Sequence, residues 1–317
     1  MLNRVIALIL ICAFSFLVAK NSLANQTSFS RTNEDGNLQF AYAWKAKNNI
    51  YNLSFVLSRD TLMQVPETPI RFSNRMMQQE IYMALMAVSR DAQAQGIQVN
   101  IRRLNEGFDF NVQGPSDEQV NQVMQNLKAA SQGAQSEFLE KNGFTLHQNA
   151  VGEQGIIYDH SHFARQSAPA LTAVVEAIKS IQKQPKDIRE FINIALSWIQ
   201  SIPYDDLENR ITSNGAGFLS PIELLKMNRG DCDSKSTLLA ALLMGYNENL
   251  DITMVLLPQH ALIGIPLPAT PDQITIQQNQ TTYLLLEPTG PAYHEIGEVA
   301  DSTLMAILNR QYSLNSM

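Results

Sequence analysis

The stretch Arg229-Gly230-Asp231-Cys232-Asp233-Ser234-Lys235-Ser236 most constrains what this chain can fold into. It puts a cysteine at the junction of a loop and an apolar helix. Gly230 supplies loop freedom. Asp231, Asp233 and Ser234 are all residue types that cap helix N-termini, so the helix starts near Cys232. Leu238, Leu239, Leu242 and Leu243 then recur at helical spacing and predict a buried face. A thiol in the first turn of a helix sits in a positive partial field that favours the thiolate. A lone cysteine is more often a small buried core residue. Cys232 therefore reads as a nucleophile only if the rest of the chain supplies partners.

The N-terminus sets the context. Arg4 precedes an almost wholly apolar run at residues 5–19, and Ser22-Leu23-Ala24 forms a small-x-small cleavage site before Asn25. This is the pattern of a secretory signal peptide over residues 1–24. The apolar run is short for a membrane anchor. The reading predicts a periplasmic or secreted protein without a stable membrane span. Cleavage removes Arg4, Lys20 and no acid, so the net charge of −7 becomes −9 from 21 basic and 30 acidic side chains. Such an acidic chain is a poor partner for nucleic acid. Cys12 leaves with the leader, which makes Cys232 the lone thiol of an exported chain.

Residues 25–37 are polar and read as a flexible lead-in. Strand-like runs at 38–45 and 50–57 flank Lys47-Asn48-Asn49, the signal of a hairpin. Helices are expected at 75–95 and 117–142, with strands at 97–104 and 108–112 between them. Residues 38–143 thus read as a small ββαββα domain with an antiparallel sheet, which could bind a partner. The methionines at 76, 77, 83 and 86 read as core or interface packing. Residues 144–169 read as a linker, His160 and His162 included.

A second unit spans residues 170–317. Helices are expected at 170–182, 186–201 and 221–227, the last with Ser220 and Pro221 at its start. After the cysteine helix, strands are expected at 252–257, 260–265 and 281–286. The second strand begins with His260 and the third delivers Glu287. A carboxylate at the end of an apolar strand resists burial without a partner. Cys232, His260 and Glu287 follow one another at separations of 28 and 27 residues. They are a nucleophile, a base, and an acid able to fix the base's tautomer and stabilise its imidazolium.

Three segments carry a resemblance: residues 228–236, His260-Ala261-Leu262-Ile263-Gly264 and Leu286-Glu287-Pro288-Thr289. They are similar to the core motifs of the transglutaminase-like superfamily, papain-like thiol enzymes with a Cys-His-Asp triad. The resemblance covers residues 185–292 and departs from the family by Glu in place of Asp. It implies an α+β fold with a transglutaminase-like core, in which the helix carrying Cys232 packs on an antiparallel sheet. It implies a cysteine peptidase or amidase acting on protein or peptide substrates through Cys232, His260 and Glu287. The alternatives are a protein-crosslinking acyltransferase and a non-catalytic binding module. No cofactor is required. In some bacterial relatives acids beside the cysteine help to bind calcium, which here would fall to Asp231 and Asp233. Those same acids oppose the helix field on the thiol. The Cys232 backbone N–H is one oxyanion donor, and a second is expected from Tyr204, or failing that Trp198.

Overall fold

The computed structural model describes residues 23–65, 69–105, 107–208 and 217–317. The apolar run of the expected signal peptide lies outside them. The fold is mixed α+β with antiparallel sheets.

Three strands open the chain: β1 (Ala24–Glu34), β2 (Asn37–Ala46) and β3 (Asn49–Leu57). The flexible lead-in expected at 25–37 is thus a paired strand, in register with β2 from Ala24↔Ala46 to Glu34↔Asn37. The overlooked signal was Asp35-Gly36. Both residues have positive φ, 53° and 89°, as a two-residue turn between right-twisted strands demands. β1 is polar because its outer face meets water. Alternation is clear in β2, where Leu38, Phe40, Tyr42, Trp44 and Ala46 all point inward and are buried. Ala24 is also buried, and its N–H donates to the Pro291 carbonyl at 3.0 Å.

A short helix α1 (Arg59–Leu62) follows. Next comes a compact module of α2 (Asn74–Ala94), β4 (Gln98–Arg103), β5 (Phe108–Gln113), α3 (Asp117–Lys141), β6 (Phe144–Gln148) and β7 (Gln154–Tyr158). It has its own core of Met77, Ile81, Leu85, Leu127, Phe138 and Phe144. The methionine stripe divides: Met77 is in this core, while Met76 and Met83 face outward.

The remainder runs α4 (His160–Ser167), α5 (Thr172–Ser180), α6 (Ile188–Ser201), α7 (Pro221–Met227), α8 (Cys232–Tyr246), β8 (Thr253–Leu257), β9 (His260–Ile265), β10 (Thr275–Gln278), β11 (Thr281–Leu286), α9 (Asp301–Leu308) and β12 (Ser313–Ser316). Five of its strands form an antiparallel sheet in the order β10-β11-β9-β8-β12. The expected helices at 186–201 and 221–227 and the expected strands at 260–265 and 281–286 lie where the periodicity puts them. β10, β12 and α9 were not foreseen.

Two expected boundaries do not hold. β1–β3 do not belong with α2 and α3. Their apolar face shares one core with α5, α6 and α8. Trp198 on α6 lies edge-on to Tyr42 and Phe55, and Trp44 Nε1 donates to Ser197 Oγ at 2.9 Å. The module of α2–β7 is therefore inserted into a unit that begins at β1. The expected linker at 144–169 is also ordered structure, namely β6, β7 and α4. Fully buried within the shared core, Trp198 should on replacement by Ala destabilise the fold by about 3–5 kcal/mol, measured by urea unfolding.

Candidate active site

Cys232 is the first residue of α8. Asp231 is its N-cap, with Oδ1 accepting from the Ser234 N–H at 3.1 Å. The loop before it is held tightly. A Cβ on Gly230 would lie 2.7 Å from Leu224 Cδ1, so the glycine lets the loop pack closely on α7, and its φ is not one that only glycine favours. Across the loop, Gly230 N–H donates to the Pro203 carbonyl and Asp205 N–H donates to the Gly230 carbonyl, at 3.2 and 3.3 Å. These bonds bring Tyr204 alongside Gly230.

His260 follows the two-residue Pro258-Gln259 turn that joins β8 to β9, where Gln259 takes φ 61°. The Ser236 hydroxyl donates to the Ala261 carbonyl at 3.0 Å, which fixes the start of β9 against the first turns of α8. The His260 side chain hydrogen-bonds Glu287, and Cys232 is near enough to raise the ring's proton affinity. Its Nε2 lies 2.9 Å from each oxygen of Glu287, so Nδ1 is the ring nitrogen left for the thiol. The longer Glu is accommodated because its two oxygens straddle one ring nitrogen.

Glu287 leaves β11 and is 1% exposed. A buried carboxylate needs several partners. Thr303 on α9 donates to Oε2 at 3.1 Å, and the Thr289 N–H reaches Oε1 at 3.4 Å. Gln200 on α6 holds the backbone, with Nε2 donating to the Glu287 and His294 carbonyls at 2.7 and 2.9 Å. Gly290 passes so close to α6 that a Cβ would lie 1.9 Å from the Gln200 carbonyl. Gln200 and Thr303 have no motif signal. His294 lines a cavity of about 430 Å³ together with His260, Glu287, Thr289 and Thr303.

Burial works against a charged His260, but Cys232 and the Glu287 hydrogen bonds win and push it up to about 10. The pair is thus held as an imidazolium beside a carboxylate.

Burial also governs the acids around the thiol. Burial and the neighbouring Asp231 hold Asp233 well above the usual carboxylate range. Burial raises Asp231 too, while hydrogen bonding to Asp233 and Ser234 restrains it. Among the described residues no group of three or more His, Cys, Asp or Glu could hold a metal ion.

His160 is not in a linker. It is buried at the start of α4, with Nδ1 3.3 Å from Thr237 Oγ1 and Nε2 3.7 Å from Asp233 Oδ2. Burial drives it down to about 3, so it is neutral. Of the two expected oxyanion donors, Trp198 is remote in the core. Tyr204 is beside the thiol, where burial and then the Cys232 and Asp231 charges raise its hydroxyl, leaving it a donor.

No family model, curated protein or solved structure matches the chain. Among the described residues no helix is long and apolar enough to cross a membrane.

The His260 shift has a stability consequence. Its folded value of about 10 lies above the ordinary 6.5, so the fold binds the extra proton. The stabilisation is complete below pH 6.5 and is lost as pH rises through about 10. The difference in urea midpoint between wild type and His260→Gln should shrink across that window.

Proposed function

We propose that this chain is an exported thiol enzyme with a transglutaminase-like core, a cysteine peptidase or amidase acting on peptide or glutamine-type amide bonds. The observation that carries the reading is His260, hydrogen-bonded to the buried Glu287 and set beside Cys232. Three residue types with separate roles meet in the order that nucleophilic acyl transfer requires.

The chemistry follows from the positions. The Cys232 sulfur attacks the amide carbonyl carbon and the carbonyl oxygen takes the displaced electron pair. The Cys232 N–H, uncovered at the start of α8, and the Tyr204 hydroxyl are the donors available to that oxygen. As the tetrahedral centre collapses, the carbon–nitrogen bond breaks and the amine leaves with the proton from His260. His260 then takes a proton from water, whose oxygen attacks the thioester. The acid is released and the thiol restored. Glu287 keeps the ring oriented and stabilises its cationic form throughout. Hydrolysis is preferred here to crosslinking on the strength of the resemblance to papain-like thiol enzymes alone. The leader and lone thiol support export, as a reading of sequence.

A peptide-like thiol-reactive probe tests the reading. Cys232 should label faster than a free thiol, and His260→Ala should slow labelling by roughly 10²-fold or more. Labelling at the rate of a free thiol in both proteins would sink the enzyme reading and favour a binding module.

A further inference from the structure

Lys235 lies one helical turn beyond Cys232, is fully buried, and has no role in the chemistry described above. Lysine is almost never fully buried unless it is partnered. Its Nζ donates to the carbonyl of Ile202 at 2.5 Å. Ile202 is the C-cap of α6, where unpaired carbonyls and the negative end of the helix field favour a cation. One ammonium thus joins the end of α6 to the start of α8.

Two consequences meet at the thiol. Just beyond Ile202, the chain runs through Pro203, Tyr204 and Asp205, the segment bonded to Gly230. Holding Ile202 holds that segment where Tyr204 stands beside Cys232. The second consequence is charge. Burial pulls the Lys235 ammonium down to about 8, and the charges of Asp231 and Cys232 act against that pull and keep it a cation at neutral pH. The groups around the thiol on its other sides are Asp233, whose proton affinity burial raises, His260 and Tyr204. Without Lys235 the Asp231 carboxylate would face the thiol with no buried cation behind it.

We propose that Lys235 is a positioning residue for the thiol chemistry, setting the Tyr204 segment and offsetting the Asp231 charge so that Cys232 reacts as a thiolate near neutral pH. This rests on the reading of Cys232 as the nucleophile. A purely structural Lys235 is the competing explanation, and methionine tests it, having similar length and no charge.

The experiment follows alkylation of Cys232 by iodoacetamide from pH 6 to 10, with the site identified by mass spectrometry. Lys235→Met should slow alkylation at pH 6.5 about tenfold relative to wild type, the effect of one unit of proton affinity. At pH 10, where thiols ionise regardless, the two rates should agree within about twofold. Asp231→Asn keeps the cap, since Asn caps as well as Asp. Adding it to Lys235→Met should restore most of the loss at pH 6.5. Equal rates for wild type and Lys235→Met at pH 6.5 would overturn the proposal, as would a loss of equal size at every pH.

If Lys235→Met alone does not fold, the double variant is compared with Asp231→Asn. They differ only in the ammonium, so slower alkylation of the double variant at pH 6.5 supports the proposal and equal rates overturn it. A wild-type thiol no faster than a free one fails the enzyme reading itself. A fast wild type unaffected by Lys235→Met fails only the role given to Lys235.

Discussion

The buried carboxylate of Glu287 is the constraint on which the site depends. A lone carboxylate away from water costs several kcal/mol. The fold meets that cost with partners from three directions: His260 at the start of β9, Thr303 from α9 and the Thr289 N–H from the following turn. Gln200 reaches from α6 to hold the same turn by its carbonyls. Because His260 is charged where Glu287 needs a counter-ion, the ring cannot turn away without stranding the carboxylate. The orientation of the base toward Cys232 is therefore enforced by a stability requirement.

A second balance operates at the thiol. Two carboxylates flank Cys232 in sequence and would oppose ionisation if both were charged. Burial works against that. It raises the proton affinity of both carboxyls, Asp233 the further, while Asp231 doubles as the helix cap. His160, neutral and adjacent to Asp233, adds no further charge.

The legible part of the sequence was local. Cys232, His260 and Glu287 each sit at an element boundary marked by a cap, a turn or a proline, and β9, β11, α6 and α7 carry clean periodicity. What was illegible depends on distant pairing. β1 is polar because most of its residues are exposed, and the Asp35-Gly36 turn alone announces it. The inserted module hides the union of β1–β3 with α5 and α6, because nothing in a linear reading shows that Trp198 meets Tyr42 and Phe55. Gln200 and Thr303 look like ordinary helix polar residues until Glu287 arrives beside them.

The residues after Cys232 show most clearly why such roles escape a linear reading. Ser234, Lys235, Ser236 and Thr237 look like a soluble helix start, yet all four are fully buried. Successive positions on a helix point about 100° apart, so four in a row sweep the whole circumference. Each meets a different neighbour: Ser234 Oγ accepts from Leu219 N–H, Lys235 Nζ donates to Ile202, Ser236 Oγ donates to Ala261, and Thr237 Oγ1 meets His160. An apolar residue at any of these positions would fill the space but leave a backbone group or a ring nitrogen without its partner. The polar run is therefore the set of ties that fixes α8, and with it the thiol, relative to the preceding loop, α6, β9 and α4.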